Sequence, residues 1–229
     1  MTAIVNMSEA KAREEICRVG ESLFQRGYVH ATAGNISVRL DHGFLITPTD
    51  ACLGFLDPAD LALLDHDGFQ ISGKRASKTI ALHRKIYEAS DHAPGSWPAR
   101  CVVHTHSTHC VALSLQAKGP ELLPPITPYF VMKVGHVPLI PYFRPGDVLA
   151  ADAVADAILH YAKVDTPIRA VMLSRLGPNV WHQDLTQAMA TLEELEETAK
   201  LVNLASPHLP DNLSDEQIEE LRQNFGASW

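Results

Sequence analysis

The stretch GNISVRLDHGFLITPTD (residues 34–50) constrains the fold more than any other part of the chain. Its side chains alternate apolar and polar on both sides of a DHG turn, the pattern of a two-stranded antiparallel hairpin with one buried face. LDPADLALLDHDGFQISG (56–73) repeats the scheme, with an Asp-Pro helical start and two strands turning at HDG. Between and after these hairpins the period changes to 3.6. Helices are expected over 8–27, capped by Ser8, and from Ser77 onward, with Ile80, His83, Ile86 and Tyr87 on one face. Further helices are expected over 148–162 and 184–204, the latter with Leu192, Leu195 and Leu201 as core positions. A last helix starts at Ser214, where SDEQ has the capping-box pattern. IRAVMLSR reads as a buried strand closed by a turn at LGPN. Hairpins flanked by helices imply an α/β chain: one three-layer α/β/α domain over residues 1–229 with a mixed, largely antiparallel central sheet.

The composition, 46% hydrophobic and 20% charged, suits an ordinary globular protein. A formal charge of −8 argues against nucleic acid or an anionic membrane as partner, though a locally basic pocket could still take an anionic substrate. No apolar run reaches membrane-spanning length, and MTAIVNMSEAKAREE lacks the features of a secretory leader. Cys17, Cys52, Cys101 and Cys110 show no C-x-x-C spacing, so reduced thiols in a cytoplasm are expected, each acting as a small buried hydrophobe.

CVVHTHSTHC (101–110) is the chemically suggestive stretch. CVV reads as a buried strand, and alternate residues share a face, so His104 and His106 stand side by side at its carboxyl end; Ser107 caps the helix that follows. With 12 histidines in the chain an H-x-H can arise by chance, and a metal site needs a third ligand. TAGNIS (32–37), TPTD (47–50) and GKRASK (73–78) also fall at element boundaries. The last runs into a helix whose first turn would carry Ser77, Lys78 and Thr79, where free amides and a lysine suit a phosphate or carboxylate.

The order G-N-I-S, T-P-T, G-K-x-x-S, V-V-H-x-H resembles the class II aldolase/adducin family, which includes L-fuculose-phosphate aldolase and the adducin head domain. The resemblance spans about residues 10–205. TPYFVMKVGHVPLIPYFRPGD and MATLEELEETAKL look closest to the 3-oxo-tetronate 4-phosphate decarboxylase branch. The resemblance implies a carbon–carbon lyase using a divalent metal, zinc first among them, and a cytoplasmic homotetramer with sites near subunit interfaces. It places metal ligands at His104 and His106 and the phosphate pocket at Asn35, Thr49, Ser77 and Lys78. Tyr129, Lys133 and Arg144 lie in the decarboxylase-like stretches as further pocket candidates.

Two positions depart from the family pattern. Thr79 stands where the family has its acid/base Glu, and Leu176 stands where the third His precedes a Gly. Threonine has no titratable group near neutral pH, and leucine cannot bind a metal. His83, His109, His136 and His182 are the replacement donors to consider, and Arg175 could grip a substrate carboxylate. Three functions stay open: a working decarboxylase or aldolase on a phosphorylated sugar acid, a relative that binds or converts such a ligand without metal, and an adducin-like interaction module.

Overall fold

The computed structural model describes residues 7–208 and 211–229. Helix α1 (Glu9–Gln25) is capped by Ser8, which accepts from Lys11 N, and buries Ile16, Val19 and Leu23. The hairpin β1 (Asn35–Leu40) and β2 (Gly43–Ile46) follows, in antiparallel register from Ser37↔Ile46 to Leu40↔Gly43. Two single-turn 3-10 helices precede β3 (Ala62–Leu64) and β4 (Gln70–Ser72). Then come α2 (Ile80–His92), β5 (Cys101–His104), α3 (Thr108–Ser114), α4 (Pro128–Lys133), β6 (Leu139–Ile140) and α5 (Val148–Lys163). The chain ends with β7 (Ala170–Leu173), β8 (Gly177–His182), α6 (Leu185–Ala205) and α7 (Asp215–Phe225).

The strands form one eight-stranded sheet in the order β4-β3-β2-β1-β5-β8-β7-β6. Every pairing is antiparallel except β6 with β7, so the sheet is mixed as the hairpin pattern implies. Strand alternation sorts the core into two layers. Ile36, Val38, Val103, Met172 and Val180 point to the α1/α6 side, whereas Val102, Val171, Leu173 and Trp181 point to α2 and α5. Three layers result: helices, sheet, helices.

Four sequence expectations need correcting. Helix α2 starts at Ile80, not Ser77: Thr79 is the N-cap without a side-chain cap bond, and Ser77–Thr79 form a turn ahead of it. Pro48 and Ala76 are bridged, which ties this turn to the edge of the sheet before the helix can begin. LGPN is not a closing turn: Ser174–Leu176 make the turn and Gly177 already belongs to β8. Gly177 has φ 148°, and a Cβ there would lie 1.9 Å from Thr105 O, so only glycine lets the two backbones pack so closely. Leu201 is 52% exposed on α6, outside the core that Leu192 and Leu195 join. Ser107 occupies the N-cap of α3, but its side chain makes no cap bond; Glu196 of α6 accepts from the first-turn amides instead.

Candidate active site

Strand β5 ends at His104, whose Cα partners are Asn35 on β1 and Asn179 on β8. The three side chains therefore form a polar row at one end of the sheet, on the side covered by α2 and α5. His104 Nδ1 lies 2.9 Å from Pro178 O. A carbonyl only accepts, so Nδ1 carries the proton and Nε2 keeps its lone pair. Burial, and secondarily His106, push the His104 pKa down to about 3, so the ring is neutral at pH 7. His106 is half-buried, its pKa lowered by burial and then by His30.

The His104 and His106 ring centroids are 5.1 Å apart at 69°. Two imidazoles bound to one ion at about 2.0–2.1 Å, with roughly tetrahedral angles, have centroids about 5 Å apart. The spacing of the pair suits a shared divalent cation, and His104 has the tautomer and charge state for one. The pair is only part of a donor set: among the described residues no three His, Cys, Asp or Glu side chains are grouped closely enough to hold a metal.

The four residues nominated for a phosphate lie along the same end of the sheet. Thr47 N donates to Ile36 O at 3.0 Å, beside Asn35. Ser77 N donates to Thr47 O, and Thr49 N donates to Arg75 O, so residues 47–49 lie between the start of β1 and the turn before α2. Ser77 is buried with its Oγ 2.9 Å from Thr79 Oγ1, whereas Lys78 is exposed. Asn35 is buried, and its Oδ1 has no hydrogen-bond partner among the described residues. A cleft of about 410 Å³ opens beside Thr49 and Arg75, lined also by Asp50, Asp57 and Asp60. It borders Thr49 and not the histidines, and its carboxylates make it a poor anion pocket as a whole.

Of the other sequence candidates, His83 lies within electrostatic reach of His104, and the rest make separate contacts. Leu176 is half-buried against the α2/α5 apolar cluster, which also takes Ile80 and Leu82. His83 is fully buried with Nδ1 2.7 Å from Ser37 Oγ, and Ser37 Oγ is 2.6 Å from Tyr87 OH; burial lowers the His83 pKa to about 3. His109 Nδ1 donates to Glu196 Oε1, and His136 Nδ1 to Glu121. Gln183 N donates to His182 Nδ1, and that ring stacks on Trp97. Arg175 is exposed with φ 66°. Tyr129 and Lys133 are exposed on α4, whose buried Phe130 packs into the opposite side of the sheet. Arg144 is exposed beside Asp147.

Two residues at the site were not singled out from the sequence. Asn179 is 1% exposed, and both its amide atoms lack partners among the described residues. His30 is the other: its ring centroid is 6.4 Å from that of His106. The available signal for His30 was its place just ahead of TAGNIS; nothing in its own neighbours marks it.

Residues 14–202 match the family described as Class II Aldolase and Adducin N-terminal domain, and the chain belongs to that family. Within it, the chain is 51% identical to the 3-oxo-tetronate 4-phosphate decarboxylase of Cupriavidus necator, over 97% of this chain and 99% of that one. It is 40% identical to the enzyme of the same name from Escherichia coli K12, over 93% of this chain and 96% of that one. The L-fuculose phosphate aldolase of Methanococcus maripaludis is 34% identical over 82% of this chain and 92% of its own length. Among solved structures, YgbL from Klebsiella pneumoniae superposes with a TM-score of 0.82 at 40% identity, covering 94% of this chain and all of that one. An L-fuculose 1-phosphate aldolase, at 23% identity and TM-score 0.78 over 96% of this chain and 98% of that one, shares the fold.

Proposed function

We propose that this protein is a decarboxylase of a phosphorylated four-carbon keto acid of the 3-oxo-tetronate 4-phosphate type. The observation that carries the reading is the Asn35↔His104 strand pairing, which joins the 47–49 and 75–77 segments to the imidazole pair along one end of the sheet. The similarity to enzymes named for that reaction supports the choice of substrate.

In such a substrate the carboxylate is β to the ketone. Breaking the C1–C2 bond releases carbon dioxide and leaves the electron pair as an enolate across C2, C3 and the ketone oxygen; a proton then returns to C2. Asn35, Thr49, Ser77 and Lys78 would anchor the phosphate and so orient the C1–C2 bond at the histidine pair. A divalent ion, zinc first, held by His104 and His106 would supply positive charge against the developing oxyanion. Neutral His104, with its tautomer fixed by Pro178 O, keeps a lone pair on Nε2 for that purpose. Thr79 is excluded as the donor of the returning proton, having no titratable group in range. We assign the protein to the cytoplasm as a homotetramer, following the family resemblance; among the described residues no helix is long and apolar enough to cross a membrane.

The lack of a third donor group favours a second reading, a protein that binds a phosphorylated sugar acid without metal. The test is carbon dioxide release from 3-oxo-tetronate 4-phosphate with and without added zinc, beside the unphosphorylated acid. Zinc-dependent release from the phosphorylated compound alone supports decarboxylation. Stabilisation by the compound without release supports the second reading, and no response to either acid defeats both.

A further inference from the structure

We propose that Trp97, Arg169 and His182 form a second ligand site, one that takes a carboxylate group. It lies at the other end of the β5–β8 pair from the imidazoles. Cys101 pairs with His182 there, whereas His104 pairs with Asn179 about 10 Å further along the strands. The site does not depend on the decarboxylase reading.

Arg169 stands just before β7, where its carbonyl accepts from Trp181 N. A guanidinium carries five N–H donors, yet among the described residues this one makes a single hydrogen bond, from Nη2 to Ser228 Oγ at 3.3 Å. No acidic side chain offsets its charge: burial alone acts on its pKa, and lowers it. A guanidinium drawn partly out of water with no anion beside it is costly, and a carboxylate would remove that cost through a two-pronged contact. Arg169 Cζ lies 5.2 Å from the Trp97 ring centroid, and the same indole stacks on His182 at 5.6 Å and 27°. Stacking occupies the flat face of the guanidinium and leaves its edge of N–H groups for a ligand. His182 Nδ1 accepts from Gln183 N at 2.9 Å, so the neutral ring keeps its own N–H on Nε2 as a further donor.

A pocket of about 20 Å³ lies among these groups, lined also by Ser96, Trp181 and Gln183, with no acidic residue in its wall. Asp184, next along the chain, is engaged at the start of α6, where it accepts from Gln187 N and Gln187 Nε2. A water needs about 10–15 Å³ of such space, so the pocket admits one or two water-sized groups. The two oxygens of a carboxylate match that size, and a tetrahedral phosphate exceeds it. An arginine in the wall and no acid selects an anion over a cation.

The test uses the full chain at pH 7 and constant ionic strength, titrated with sodium formate, sodium acetate and inorganic phosphate in exchange for sodium chloride. Intrinsic tryptophan fluorescence reads Trp97 and Trp181, and thermal unfolding gives a second readout. Variants are Arg169→Gln, Arg169→Lys and, as a remote control, Arg18→Gln on exposed Arg18 of α1. The expected result is a saturable response to formate and acetate in the parent and in Arg18→Gln. Arg169→Gln should weaken it by about tenfold or more, and Arg169→Lys, which keeps the charge but loses the fork, by a smaller factor. No saturable response in the parent overturns the proposal, as does parent-like affinity in both Arg169 variants, or phosphate bound as tightly as acetate. Should Arg169→Gln fail to fold by circular dichroism, parent-like affinity in Arg169→Lys and in Trp97→Ala, read by thermal unfolding, overturns it instead. A carboxylate reaches the site either as a free acid or on a second copy of this chain, and sedimentation velocity with and without acetate separates the two. An assembly that acetate dissociates puts a second copy's carboxylate on Arg169, and one that acetate leaves intact puts a free acid there.

Discussion

Glu196 is 3% exposed on α6 and accepts three hydrogen bonds: from His109 N at 2.9 Å, His109 Nδ1 at 2.8 Å and Cys110 N at 3.0 Å. Two of these donors are first-turn amides of α3, to which the Ser107 side chain makes no cap bond. The carboxylate thus fixes the helix that begins two residues after His106. Glu196→Ala removes the acceptor from three donors. Bonds to a charged group contribute about 1.5–3 kcal/mol each. The loss is reduced because Glu196 no longer has to be desolvated, and water can reach half-buried His109. A net loss of about 2–4 kcal/mol follows, on the order of 5–15 °C in Tm for a chain of this size. Glu196→Gln keeps one carbonyl oxygen but turns an amide toward one donor, so roughly half that loss is expected. Urea and thermal unfolding by circular dichroism at fixed protein concentration measure both. A Glu196→Ala variant within about 0.5 kcal/mol of the parent, the range of an ordinary surface change, would refute the reasoning.

His83, His104 and His182 have folded-state pKa values lowered to about 3, about 3 and about 4, in each case chiefly by burial. The unfolded chain, near pH 6.5, therefore binds more protons between those values, so stability is full above about pH 6.5 and falls as the pH drops. Urea midpoints at pH 7.5, 6 and 5 should decline in that order; a flat series would contradict neutral burial. Lys78→Ala and Ser77→Ala should raise KM for the phosphorylated acid by about tenfold or more with a smaller change in kcat, read from initial rates; unchanged KM in both would remove them from the phosphate pocket. Thr79→Glu combined with Leu176→His should tighten Zn²⁺ binding and raise lyase turnover above the parent, and flat values for both would show that those positions are wrongly placed.

The parts legible in the sequence are those settled within a few residues. The β1–β2 hairpin follows from its alternation, and the Ser214–Gln217 capping box is present at α7. Long-range partners decided the rest. Ser77 has the composition of a helix cap, but the Pro48–Ala76 bridge holds it in a turn and leaves Thr79 to begin α2. Gly177-Pro178-Asn179 has turn composition, yet its contact with Thr105 draws it into the sheet. Two of the three residues of the polar row, Asn35 and His104, are legible in the sequence, whereas Asn179 joins them through a β5–β8 register that no local pattern encodes. His109 and His136 carry no local mark of their roles, because their partners Glu196 and Glu121 lie 87 and 15 residues away.

The most direct test of the central claim is release of labelled carbon dioxide from 3-oxo-tetronate 4-phosphate carrying ¹³C at its carboxyl carbon. The Zn²⁺-loaded parent would be compared with a His104→Ala, His106→Ala double variant whose fold is verified by circular dichroism. The account predicts release by the parent and none above background by the variant. Equal release from both, or none from the loaded parent, would contradict it.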